Sequence, residues 1–205
     1  MTITKLEPYR KGKLLIYLND EPAFVLYSAE VKRYKLVVDE ILENDTYREI
    51  LDEVLIKRAK SRTLHLLDRQ DRTEKQLRDK LKENFYPPEA IDAAVEAAKR
   101  GNYLNDDRYA CQYVRDKSRS RSKRMIEMEL MSKGISKDLI SRAFAEFEED
   151  DDGSEQELIE KLIRKKCRSL PDIDIAEKQK IYRYLAGKGF GGNDIRKAFE
   201  RLTNA

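Results

Sequence analysis

Apolar residues recur along this chain in two periods, and the change from one to the other divides it. In residues 13–27, KLLIYLNDEPAFVLY, two runs rich in β-branched and aromatic residues flank Asn19-Asp20-Glu21-Pro22, which predicts a β-hairpin about a polar turn. Leu6 marks a third strand. So small a sheet is marginal alone and must rest an apolar face on the helices that follow, so its expected role is structural. From Ser28 onward the period becomes helical. Ser28 is placed to cap a short helix over 29–34, and Thr46 opens a longer run in which Ile50, Leu51, Val54, Leu55, Ala59, Leu64 and Leu67 recur at spacings of three and four.

Within the helical part the pattern repeats. When Leu81, Leu130 and Leu185 are aligned, the position four earlier is Leu77, Ile126 or Ile181, and the position five later is Tyr86, Ile135 or Phe190. Ten, thirteen and fourteen residues after the anchors come Ile91, Ile140 and Ile195, then Ala94, Ala143 and Ala198, then Val95, Phe144 and Phe199. This describes a helix ending near the anchor, a turn that drops one apolar residue inward, and a second helix packed on the first. Pro87-Pro88, Gly134-Ile135-Ser136 and Gly187 through Asn193 occupy the three turns, with Ser136 and Asn193 as N-caps and Gly101 as a helix stop. A preceding apolar helix completes each unit. The expected fold class is mainly α: tandem three-helix repeats over 55–100, 101–150 and 151–205, forming an elongated curved array after an N-terminal β-hairpin and helical extension over 1–54.

Composition fits a slender, solvated fold. Of 205 residues 40% are charged and 40% hydrophobic, with 42 Lys and Arg against 39 Asp and Glu. The near-neutral total conceals separation. Residues 57–82 hold ten basic and four acidic residues, and 115–124 hold six basic residues and one acid. Lys161, Arg164, Lys165, Lys166 and Arg168 open the third repeat, whereas 146–152 carry six acids in seven residues, read as an exposed helix end running into a linker. Basic stretches on a repeated scaffold suit phosphate contacts, and Tyr103, Tyr109 and Tyr113 are candidates for stacking on bases. The same charges would equally dock an acidic groove on a protein.

Chemistry is hard to place. Cys111 and Cys167 read as free, half-buried thiols of a reducing compartment, and His65 as a helix residue without the partners a metal site needs. Asn105-Asp106-Asp107 reads as a helix start rather than a carboxylate site. Gly187 through Gly192 lacks the spacing of an ATP phosphate loop, and no serine has a credible triad with His65. No metal, cofactor or enzymatic activity is expected. Without an apolar run near the ~20 residues of a membrane span, a soluble, cytoplasmic monomer is expected.

Gly101-Asn102-Tyr103-Leu104-Asn105-Asp106-Asp107-Arg108-Tyr109-Ala110, followed by Glu129-Leu130-Met131-Ser132-Lys133-Gly134-Ile135, resembles the bacterial RecX regulatory proteins, as do Arg72, Thr73 and Glu74 ahead of Leu77 and Leu81. The resemblance spans roughly residues 55 to 202. It implies a non-enzymatic regulator in DNA recombination and repair that engages the RecA recombinase filament on single-stranded DNA and limits its growth or activity. Tyr103, Asp106, Arg108, Tyr109, Lys133 and Gly134 occupy family-motif positions. Where the family often has a glycine before the basic helix, this chain has Ser120-Arg121-Ser122, expected to alter the turn or loosen it. The electrostatic contacts are assigned to Arg72, Arg78, Arg115, Arg119, Arg121, Lys123 and Arg124. Two other classes stay open: a standalone single-stranded nucleic-acid module, which would bind without recombinase, and a helical protein adaptor, which would bind a protein without DNA.

Overall fold

The computed structural model describes residues 1–150, 153–167, 170 and 173–203, with backbone alone at 149 and 150, so Arg168 and the last two residues of the acidic run lie outside the described residues. The chain divides into two units, Met1–Asn105 and Asp106–Ala205.

The first unit opens with three antiparallel strands, β1 (Ile3–Arg10), β2 (Lys13–Leu18) and β3 (Glu21–Tyr27), in the order β1-β2-β3. Asn19 and Asp20, at φ 50° and 70°, form a two-residue turn whose twist matches the flanking strands. The turn is tighter than the expected four residues, and Glu21 and Pro22 already belong to β3. Leu6 lies opposite Ile16 and Ile16 opposite Phe24, which turns one apolar face of the sheet onto the helices. Helix α1 (Ser28–Arg33) starts at Ser28, whose N–H and hydroxyl both donate to the Gly12 carbonyl. Ser28 thus ties the β1–β2 turn to the helix instead of capping it.

Helix α2 (Asn44–Ile50) begins two residues before Thr46 and continues through a π-helical segment (Leu51–Leu55) into α3 (Ile56–Arg69). The wider π turn absorbs an extra residue, and Ile50, Leu55, Ala59 and Leu66 still reach one core. Helices α4 (Glu74–Lys82) and α5 (Pro88–Arg100) complete the first repeat. The sheet and this repeat share a single apolar core, in which Ile16, Phe24 and Leu26 join Leu77, Leu81 and Val95. That sharing is why the small sheet is stable.

The second unit contains two repeats with separate cores. Helices α6 (Asp106–Lys117), α7 (Lys123–Ser132) and α8 (Lys137–Asp150) enclose Ala110, Val114, Ile126, Leu130, Ile140 and Phe144. Helices α9 (Glu155–Lys166), α10 (Ile175–Gly187) and α11 (Gly192–Thr203) enclose Ile159, Ile163, Ile181, Leu185, Ile195 and Phe199. In every repeat the first helix lies along the third. The aligned repeat positions are buried, apart from Tyr86, which is half-buried; in the run before them Leu51 and Leu67 are half-buried and Leu64, expected on the apolar side, is 46% exposed.

One backbone device ends the middle helix of every repeat. The N–H five residues after the anchor leucine donates back to its carbonyl: Tyr86 to Leu81 at 3.3 Å, Ile135 to Leu130 at 3.1 Å and Phe190 to Leu185 at 3.3 Å. This is the closing bond of a Schellman motif, which requires a left-handed residue just before the donor. Phe85, Gly134 and Gly189 stand there at φ 56°, 89° and 90°. The same bond ends α1, from Leu36 to Val31 with Lys35 left-handed, and α5, from Tyr103 to Ala98 with Asn102 left-handed. Gly101 is the C-cap of α5, while the left-handed conformation falls one residue later. Helix α11 begins at Gly192, so Asn193 sits in its first turn and accepts from Arg196 rather than capping.

Gly189 also joins the second and third repeats. A Cβ there would lie 2.4 Å from Ser122 Oγ and 2.6 Å from Met125 Cβ, and the Ser122 N–H donates to the Lys188 carbonyl at 3.1 Å. Gly189→Ala should therefore lower the stability of the chain by roughly 1–3 kcal/mol, from left-handed strain and the clash together. Gly187→Ala has open space around it inside a helix and should be neutral or stabilising by about 0.5–1 kcal/mol. Urea-unfolding midpoints of the two variants measure the difference.

Candidate functional site

The basic stretch 115–124 runs from the last turn of α6 through a short turn into the start of α7. Ser122 is buried and caps α7, its hydroxyl accepting the Met125 N–H at 3.2 Å. With its own N–H held by the Lys188 carbonyl, Ser122 fixes the turn that Ser120-Arg121-Ser122 was expected to alter or loosen.

Around this turn lies a cleft of about 370 Å³. Ser118, Arg119, Arg121 and Lys123 form one wall, Phe144, Phe147 and Glu148 of α8 the floor, and Ser154, Glu155, Glu157, Leu158 and Lys161 of α9 the other wall. Its acids are committed. Glu148 pairs with Lys123 at 2.8 Å, Glu155 accepts the Lys123 N–H at 3.3 Å, and Glu157 closes a capping box with Ser154. Arg121 pairs with Glu129, which also accepts from the Tyr113 hydroxyl at 2.6 Å. Arg119 and Lys161 are exposed and, among the described residues, unpaired with any carboxylate. The cleft thus presents residual positive charge beside apolar surface from Phe147 and Leu158, suited to an anionic group with an apolar or planar neighbour.

The seven basic residues assigned to electrostatic contact do not share one environment. Arg78, in the first unit, bridges Glu74 at 2.7 Å and Asp92 at 2.6 Å, and Lys99 also pairs with Glu74. Burial pushes the Glu74 carboxyl up, but its bonds to Lys99 and Arg78 outweigh this and leave it below the ordinary carboxylate range. Arg72, half-buried in the same unit, has its Nε shielded from solvent and unpartnered. Arg115 pairs with Glu146 at 2.6 Å. Arg124 is exposed on the first turn of α7 and, like Arg119, has no carboxylate partner among the described residues. The side chains of Arg78, Arg115, Arg121 and Lys123 are thus paired with carboxylates of their own repeats, whereas Arg119 and Arg124 are exposed without a carboxylate partner among the described residues.

The motif positions are chiefly architectural. Asp106 is the first residue of α6, near the positive end of the helix, and Arg108 is exposed in the same first turn. Lys133 is the C-cap of α7, Gly134 its left-handed residue. Tyr109 stacks on Tyr113 at 6.0 Å, and Lys117 and Lys133 lie over the Tyr113 ring, so Tyr113 is occupied within its repeat. Tyr103 belongs to the first unit, 58% exposed, its ring so close over Gly101 that a Cβ there would meet it at 2.7 Å. The apolar floor and the α9 wall were not expected as part of a site. Their sequence signal was the capping box Ser154–Glu157, which fixes where α9 begins. Among the described residues no three His, Cys, Asp or Glu side chains are grouped to hold a metal, and no helix is long and apolar enough to cross a membrane.

Comparison with known proteins places each repeat. Family models described as the first, second and third three-helix domains of RecX match residues 59–96, 105–143 and 154–199. The regulatory protein RecX of Caldanaerobacter subterraneus subsp. tengcongensis is 32% identical over 200 residues, covering 97% of this chain and 98% of that protein. That of Clostridium perfringens (strain 13 / Type A) is 28% identical over 207 residues, covering 98% and 96%. A crystal structure of a regulatory protein RecX aligns with all of this chain and 99% of its own at a TM-score of 0.59 and 27% identity. RecX from Lactobacillus salivarius covers 73% of this chain and 97% of its own, with a TM-score of 0.58 and 25% identity.

Two sets of outcomes follow from the side-chain environments. Arg119→Glu with Arg124→Glu should leave the unfolding midpoint within about 0.5 kcal/mol of the parent, as surface changes away from such networks do. Arg121→Glu, which sets two carboxylates together, and Arg78→Ala, which opens a half-buried network, should each cost roughly 1–2 kcal/mol. Denaturant titration distinguishes them. At Cys111, burial and then the Glu146 carboxylate, 3.2 Å from Sγ, raise the thiol pKa to about 11. Because the thiolate is the nucleophile, iodoacetamide at pH 8 should modify Cys111 roughly a hundredfold more slowly than an unstructured cysteine peptide. Glu146→Gln should speed it, as read by mass spectrometry of the labelled peptide.

Proposed function

The chain belongs to the RecX family of regulatory proteins and is a regulator rather than an enzyme; from this premise we propose that it acts in the cytoplasm on a RecA recombinase filament on single-stranded DNA, limiting its assembly or activity in DNA recombination and repair. The observation that carries this reading is the fixed basic turn of the second repeat. Arg119 and Arg124 stand uncommitted there, beside a cleft whose carboxylates are already occupied. A nucleoprotein filament offers both kinds of complement, acidic protein surface and exposed phosphates, and a multi-repeat scaffold can meet several at once. Each phosphate neutralised releases counterions, so the regulation should weaken as salt rises. Binding across successive filament subunits would hinder addition and favour loss.

Filament growth and disassembly on single-stranded DNA, followed with purified recombinase at several salt concentrations, test the proposal. Stoichiometric protein should shorten or slow the filaments, and Arg119→Glu with Arg124→Glu should require about tenfold more protein while remaining folded. No effect of the parent protein on growth or disassembly would sink the reading. An undiminished effect of the double variant would remove the turn from it. Tight binding to DNA without recombinase, with no effect on filaments, would favour a standalone nucleic-acid module.

A further inference from the structure

Two carboxylates, two residues apart on α8, hold cations from both ends of the basic turn. Glu146 reaches Arg115 on α6 at 2.6 Å, and Glu148 reaches Lys123, the first residue of α7, at 2.8 Å. Neither is a local pair. The partners lie 31 and 25 residues apart in the chain, so the contacts form only when α6 and α7 have packed on α8. All four side chains are about half exposed, which leaves both pairs within reach of a ligand arriving from solvent.

The acids stand where the helix itself disfavours them. The C-terminal end of an α-helix carries partial negative charge and favours cations. Helices α5 and α9 follow this rule, ending on Lys99 and Arg100 and on Arg164, Lys165 and Lys166. Helix α8 reverses it: its last turn holds Glu148 and no basic residue, and the sequence continues through Glu149, Asp150, Asp151 and Asp152. The stability of α8 therefore does not account for them, and exposed pairs of this kind add little to folding. What the acids do change is the field at the turn. At 0.1 M salt charges act over about 10 Å, so an anion approaching Arg115 or Lys123 meets a carboxylate already in contact with each cation.

We propose that the acidic end of α8 is a built-in competitor for the ligand of the basic turn, an autoinhibitory contact in which Glu146 and Glu148 occupy Arg115 and Lys123 and are displaced only by a polyanion. The inference rests on the turn being a contact surface for anions. An isolated phosphate gains little by exchanging with a carboxylate that the fold holds in place. A polyanion first met by Arg119 and Arg124 brings its further charges to the paired cations at high effective concentration, and so can replace both carboxylates. The contact thereby grades ligands by charge density, refusing isolated anions and accepting polyanions with reduced affinity.

Fluorescence polarisation of a labelled fifteen-nucleotide oligothymidylate, used as the polyanion with the full chain over a salt series, tests the competition. Glu146→Gln with Glu148→Gln should tighten binding about fivefold and steepen the fall of log K with log salt by up to about 1.4, or about 0.7 for each cation released to a phosphate. Glu21→Gln with Glu43→Gln raises the net charge by the same amount at exposed positions of the first unit, and should change affinity less than about twofold. Circular dichroism checks that each variant is folded, and Glu146→Gln and Glu148→Gln singly should each give part of the gain. With Arg115→Gln and Lys123→Gln also in place, neutralising the two acids should leave the salt slope unchanged, because neither cation remains to be released. An acid variant with the parent's affinity and slope, a gain matched by the first-unit control, or a slope that still steepens without Arg115 and Lys123 would each overturn the proposal. Arg119→Glu with Arg124→Glu distinguishes failure of the turn from failure of the competitor. If that variant binds like the parent, the turn is not the contact surface and both fall; if it binds weakly while the acid variant matches the parent, the competitor alone falls.

Discussion

A single backbone constraint recurs where the second helix of each repeat gives way to the third: one residue must turn left-handed so that the next N–H can reach the carbonyl five residues back. The motif satisfies a helix-end carbonyl and points the apolar donor residue inward onto the residue it bonds. In the repeats those donors are Tyr86, Ile135 and Phe190, each falling beside its anchor leucine. The second helix can then leave in the direction that sets Ile91, Ile140 or Ile195 against the first. Core and turn therefore specify each other.

How the left-handed residue is supplied differs among the repeats. Glycine supplies it at 134 and 189 without steric cost. At Phe85 an aromatic residue takes the strained conformation, and its ring meets Tyr9 of the sheet. The cost of that backbone geometry is offset by a contact available only because the sheet is part of the same unit. The sheet is thus built into the turn of the first repeat, as well as resting on its core. Gly189 has a second reason for lacking a side chain, the close approach of Ser122 and Met125.

This explains what could be read in the sequence. Burial positions were legible because their spacing follows from helix geometry, and every anchor leucine is fully buried. The turns were legible where glycine marked them and obscure at Lys35, Phe85 and Asn102, since a left-handed non-glycine residue leaves no compositional trace. The π segment was hidden because its residues are ordinary helix formers, and Ser28 and Asn193 showed that a capping residue can serve another hydrogen bond. Charge was legible as density but not as availability. Arg78 and Arg121 look like Arg119 and Arg124 in sequence, and only the placement of Glu74, Asp92 and Glu129 separates structural arginines from open ones.

Availability also depends on rigidity, and here the serine before α7 matters. A glycine at 122 would give neither the hydroxyl that caps Met125 nor the side chain that closes on Gly189; Ser122 gives both, and its N–H is held by Lys188 of the third repeat. Arg119 and Arg124 therefore project from a turn fixed by the neighbouring repeat. A cation held in place loses less conformational freedom on meeting a phosphate or carboxylate than one on a loose loop. Ser122 thus couples the basic turn to the packing of two repeats, so a change at Gly189 would reach the basic surface without touching any of its charges.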